Sequence, residues 1–77
     1  MHTLPFIVDL YLLIRPEKIS WLRFILEGYD GLAILTTMST ETGLVRLQTL
    51  NSRFDETMQL IDDLAIDLTQ FQAHVLN

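Results

Sequence analysis

The chain has 77 residues, no cysteine, and a net charge of −5 from ten acids against five bases. That length makes one small domain, residues 1–77 with a core over 6–68, and the missing cysteines exclude disulfides and thiolate metal sites as its supports. The acid excess repels phosphate backbones and anionic bilayers, so nucleic acid and membrane are not expected partners. At 49% hydrophobic the chain carries more apolar surface than it can hide, since a domain near this size buries only about 60% of its unfolded surface.

Residues 6–14, FIVDLYLLI, open the chain with β-branched and aromatic residues. Phe6, Val8, Leu10, Leu12 and Ile14 alternate onto one face, and Ile7, Asp9, Tyr11 and Leu13 onto the other. Asp9 is the single charge in the run, so the strand reads as covered on both sides. The run is much shorter than the ~20 residues that span a bilayer. It has no basic flank or small-residue cleavage site, and the expectation is a cytoplasmic protein.

Arg15-Pro16-Glu17-Lys18 switches the chain to helix. Proline suits the first helical position, where its missing N–H costs nothing, and Glu17 complements the positive end of the helix dipole. Ile19, Leu22, Ile25 and Leu26 form one stripe at helical spacing, with Trp21 and Phe24 on its flank as candidates for core-edge packing or contact with a partner. Gly28 stands where a left-handed glycine ends a helix, Asp30-Gly31 reads as a turn, and Tyr29 between them is expected to anchor that turn against the core edge. A phosphate loop is disfavoured here. Such loops precede a helix N-terminus, whereas this one follows a helix and adds Glu27 and Asp30 at its negative end.

Residues 32–40, LAILTTMST, alternate as a second strand, residues 40–43 form a glycine-containing hairpin connection, and residues 44–50 make a third strand. Ser52 and Asp55 match a capping box only in part. Phe54, Met58, Ile61, Leu64, Ala65 and Leu68 then stripe a second helix, with Asp55, Glu56, Asp62, Asp63 and Asp67 off the stripe. Phe71 and Val75 continue that stripe and favour a helical tail of about 35 Å in all. The alternation of Phe71, Ala73 and Val75 leaves a fourth strand open.

The order is β-α-β-β-α, an α+β sandwich with two helices on one face of a small sheet. A right-handed crossover with the hairpin strand inserted gives the spatial order 1-3-2, a ferredoxin-like topology. Without a fourth strand, residues 6–14 form an apolar edge of the kind proteins cover. The expected open face shows Ile7, Tyr11, Leu13, Leu35, Leu44 and Leu50, with Asp9 and Arg46 placed to pair on it. Together with Trp21, Phe24, Phe71 and Val75, these are the candidate interface residues, and a symmetric homodimer is the commonest way to cover such a surface.

No catalytic set, metal site or cofactor is expected. Asp62, Asp63 and Asp67 spread around their helix, and neither His2 nor His74 has a ligating or nucleophilic neighbour in the pattern. The chain therefore reads as a non-catalytic interaction module or homodimer rather than an enzyme.

The stretch RPEKISWLRFILEGYDGLA, residues 15–33, resembles a short bacterial family known as domain of unknown function 4911. The resemblance covers roughly residues 6–68, with an apolar strand before this stretch and a hairpin and helix after it, and it implies no particular activity. The topology is also similar to ACT-type regulatory domains, which bind amino acids and dimerise through their sheets. That likeness implies an alternative role as a small-molecule sensor. The glycine that such domains carry between first strand and first helix is absent from IRPEK, residues 14–18, so no ligand residue carries over.

Overall fold

The structure, a computed structural model, describes residues 4–69. Strand β1 (Ile7–Leu13) leads through a 3₁₀ turn at Pro16–Lys18 into helix α1 (Ile19–Glu27). Strands β2 (Ile34–Ser39) and β3 (Leu44–Leu50) form a hairpin, and a second 3₁₀ turn at Asn51–Arg53 opens helix α2 (Phe54–Thr69). The sheet order is β1-β3-β2, with β3 antiparallel to both neighbours. This is the expected α+β, ferredoxin-like arrangement, and it leaves β1 and β2 as the two edges.

Period-two alternation on β3 divides the sheet into two faces. Val45, Leu47 and Thr49 are buried, while Arg46 and Gln48 between them are partly accessible. In register with the buried positions stand Leu12 and Thr37, Leu10 and Leu35, and Val8. Against this face pack Ile19, Leu22 and Leu26 of α1 and Leu60, Ile61 and Leu68 of α2, joined by Ile14 and Leu32. Proline stands at the head of the first 3₁₀ turn, as its fixed φ suits.

The stripe of α2 is rotated from the one expected. Thr57 and Leu60 are buried with Ile61 and Leu68, whereas Phe54 and Met58 are only half-buried. The rotation follows from a polar contact that alternation does not reveal. The Thr49 hydroxyl donates to the Leu32 carbonyl at 2.7 Å, and the Thr57 hydroxyl lies 3.1 Å from Thr49 Oγ1 and 2.9 Å from the Arg53 carbonyl. A threonine can be fully buried because its hydroxyl is satisfied this way.

Gly28 also departs from expectation. Its φ of −81° is right-handed, and the left-handed residue of this joint is Gly31, at φ +69°. Gly28 and Tyr29 close the last helical turn by donating their N–H groups to the Ile25 and Leu26 carbonyls. The turn proper is Tyr29 to Leu32, closed by Leu32 N–H on the Tyr29 carbonyl at 3.0 Å. Positive φ at its third position is what selects glycine there. Tyr29 contributes through that carbonyl and is itself exposed, so it does not anchor the turn in the core edge. The carbonyl of Asp30 accepts from Arg53 Nη1 at 2.8 Å, tying the turn to the start of α2.

Three long-range contacts close the ends. Asn51 N–H donates to the Phe6 carbonyl while Asn51 Oδ1 accepts Phe6 N–H, at 2.9 and 3.0 Å. Asn51 rather than Ser52 thus makes the side-chain contact where the second helical segment begins. Ile14 N–H donates to the Gly43 carbonyl, and Arg15 N–H to the Leu68 carbonyl at 2.8 Å, pinning the last turn of α2 beside the β1–α1 junction. Over Phe54–Thr69 α2 is about 24 Å long. The proposed tail extension or fourth strand, with Phe71 and Val75, lies outside the described residues.

Candidate functional site

Both helices pack on one side of the sheet, so the other side has no layer over it among the described residues. The side chains there form four cross-strand rows. Ile7 stands opposite Leu50; Asp9, Gln48 and Ile34 form the second row; Tyr11, Arg46 and Thr36 the third; and Leu13 with Leu44 and Ser39 the fourth. Directly opposed residues on one face interact as cross-strand pairs. A register shift between Thr37 and Ser39 leaves Met38 outside the ladder and exposed.

The face is apolar and open. Ile7, Tyr11, Leu13 and Ile34 are 57–67% exposed, and Met38 and Leu50 are 47% and 40% exposed. Leu44, in the fourth row, is partly covered. Monomeric proteins seldom leave contiguous apolar patches beyond a few hundred Å². A shallow cleft of about 250 Å³ between Ile7, Ile34, Gln48 and Leu50 extends the surface at one end.

Of the residues expected on this face, Ile7, Tyr11, Leu13, Leu44 and Leu50 are there. Leu35 is not: it pairs with Leu47 on the helix-covered side and packs against the core. Its place is taken by Ile34 and Met38. The segment from Leu32 to Leu35 is apolar at every position, so alternation alone does not say which side is inside, and β2 has no charged residue to mark the outside.

Asp9 and Arg46 share the face in adjacent rows but do not pair. Asp9 Oδ1 accepts from Gln48 Nε2 at 3.2 Å, directly across the strands. Arg46 Nε is closed to water and has no acceptor among the described residues. The remaining arginines are engaged: Arg15 with Glu17, Arg23 with the Thr37 hydroxyl at 3.1 Å, and Arg53 with Glu56 and the Asp30 carbonyl.

Trp21 is half-buried against the core, with the Lys18 ammonium 4.7 Å from its ring centroid, a cation–π distance. Phe24 is 73% exposed on α1. Because α1 packs on the covered side of the sheet, neither aromatic joins the open face. The acids of α2, Asp55, Glu56, Asp62, Asp63 and Asp67, are all exposed. Among the described residues no three His, Cys, Asp or Glu side chains converge as metal ligands, and no helix is long and apolar enough to cross a membrane.

The family described as "Domain of unknown function (DUF4911)" matches residues 12–67, from the end of β1 into the last turns of α2. No curated protein and no solved structure matches the chain. The chain belongs to the DUF4911 family.

Proposed function

We propose that this DUF4911 chain is a non-catalytic protein-association module and that its open sheet face is the binding surface. One observation carries the reading: six large apolar side chains stand 40–67% exposed on or beside a single sheet face whose other side packs against two helices. Fully burying a side chain of this size is worth ~1.5–3 kcal/mol. Covering what remains exposed on these six would supply roughly 5–10 kcal/mol in all. Association itself costs about 4–15 kcal/mol in lost freedom. The apolar face therefore supplies a gain of the same order as that cost, and affinity and register rest on the directional contacts that accompany it.

The test is the Leu13→Glu variant. Leu13 is 66% exposed, so the charge stays in water in the free chain and is trapped only in a complex. Sedimentation velocity is run on wild type and variant, purified and in an extract of the cells that make the protein. The wild type is expected to run heavier than one chain in at least one condition, and the variant as a single chain in both. A wild type that runs as a single chain throughout overturns the reading.

A further inference from the structure

We infer that the occupant of the open face is a second copy of this chain, packed about a two-fold axis that sets Asp9 of each copy against Arg46 of the other. This rests on the association reading above and names its partner. The charges on the face are one acid and one base, Asp9 and Arg46, in adjacent rows of adjacent strands. Such diagonal neighbours lie about 7–8 Å apart. A two-fold axis in the plane between two copies, passing midway between these positions, exchanges them. An isologous interface needs that property: what residue i meets, its partner meets in return.

Three observations favour a second copy over an unlike partner. The face is electrically neutral in a chain of net charge −5, so it is a surface on which two copies meet without repulsion. Five of the ten acids, all five exposed, lie on α2, across the sheet from the open face. With layers about 10 Å apart, those of two stacked copies stand about three layers apart, beyond the ~8–10 Å screening length. Finally, Arg46 Nε is buried and has no acceptor among the described residues, and Asp9 commits only one oxygen, Oδ1, to Gln48. A guanidinium whose Nε has no acceptor among the described residues and a carboxylate with spare capacity, on one self-complementary face, satisfy each other when the face meets itself. With strands ~4.8 Å apart and ~6.6 Å between rows, the axis crosses the two sheets nearer to orthogonal than to aligned packing.

Reciprocal charge exchange tests this. Wild type, Asp9→Arg, Arg46→Asp and the double variant are compared by sedimentation equilibrium, with circular dichroism to show that each remains folded. The wild type is expected to dimerise, each single variant to raise the dimer Kd at least about tenfold by setting like charges together, and the double variant to return within about threefold of wild type. Should Arg46→Asp unfold, Asp9→Asn and Asp9→Arg supply the series alone. The native chain has no cysteine, so a second readout is clean: an equimolar mixture of Asp9→Cys and Arg46→Cys chains should form a disulfide-linked dimer faster than either chain alone. A dimer that Leu13→Glu dissociates but that ignores both charge exchange and cysteine mixing overturns the Asp9–Arg46 register and spares the association reading. A chain monomeric by itself, yet held through this face by another protein, overturns the second copy alone. A wild type that is monomeric in every setting overturns both.

Discussion

Replacing Gly43 with alanine separates two costs that glycine avoids. Gly43 has φ +80°, and a Cβ built on it would stand 1.8 Å from the Ile14 carbonyl oxygen, far inside van der Waals contact with backbone that has no soft way to yield. Gly31 has nearly the same dihedral, +69°, but its Cβ would meet only the Arg53 Nη1 atom, at 3.8 Å. Holding alanine in the left-handed region costs ~1–2 kcal/mol, and that is the whole expectation for Gly31→Ala. At Gly43 the overlap must also be relieved by pulling the hairpin away from β1. That loosens the hydrogen bond from buried Ile14 N–H to the Gly43 carbonyl, worth a further ~1–3 kcal/mol if its groups are left unpaired. The Gly43→Ala loss is therefore about 2–5 kcal/mol, a large share of the ~4–12 kcal/mol expected for a domain of 77 residues. With an unfolding entropy of about 0.16 kcal/mol/K at this length, Tm falls by ~12–30 °C for Gly43→Ala and by ~6–12 °C for Gly31→Ala. Thermal and urea unfolding followed by far-ultraviolet circular dichroism, at one fixed protomer concentration, measures both. A Gly43→Ala loss no larger than that of Gly31→Ala would refute the claim that the β1–hairpin contact, rather than backbone handedness, requires this glycine.

Thr49→Val should cost ~2–3 kcal/mol in urea melts because it orphans the buried Leu32 carbonyl, whereas Thr57→Val should cost under ~1 kcal/mol because Thr49 still donates to Leu32. Equal losses would mean that the two hydroxyls do not form an ordered relay. Leu35→Glu should destabilise the fold by about 3 kcal/mol or more, since it sets a carboxylate against the core. Leu13→Glu should leave the free chain's stability within ~0.5 kcal/mol; the opposite ranking would mean that β2 is turned inside out. The Glu17 carboxyl titrates below its ordinary value of 4.5 because its own backbone N–H and the Arg15 side chain bond the charged form. Its contribution is complete above the unfolded carboxyl's value and is lost as pH falls through the lower folded one. Glu17→Gln should accordingly flatten the acid limb of the stability profile, leaving the variant slightly less stable than wild type at neutral pH and equal to it once the pH is below the folded carboxyl's value; a difference that appears only at acid pH would contradict that sign.

Much of the architecture can be read from local pattern. The alternation of residues 6–14, the proline at the head of the first helical segment and the apolar spacing Ile19-Leu22-Leu26 are local consequences of backbone geometry, and they gave the element order. The antiparallel order with β3 in the centre followed from chain connectivity. The open face was foreseeable in outline because three strands and two helices on one side leave a second side with apolar Ile7, Tyr11 and Leu13 on it. The rest depended on which residues meet across the sheet. Leu32 to Leu35 offers apolar side chains to both faces, so nothing within β2 could place Leu35 inward and Ile34 outward. Only pairing with Leu47 and Gln48 of β3 does so.

The same division holds at each corrected site. Gly28 and Gly31 are both glycines that could end a helix, and the turn that delivers Leu32 into the core puts the positive φ on the second. Thr57 looks like an ordinary polar helix position until Thr49 arrives from β3 to share its hydroxyl. Asp9 and Arg46 look like an ion pair from their charges, but register sets Gln48 directly opposite Asp9 and leaves Arg46 Nε without an acceptor among the described residues. Sequence by itself determined where the elements lie and that one apolar surface is left over, because period and turn chemistry act within a few residues. Tertiary structure alone decided which side chains form that surface, because a face is a property of pairing between strands that are tens of residues apart.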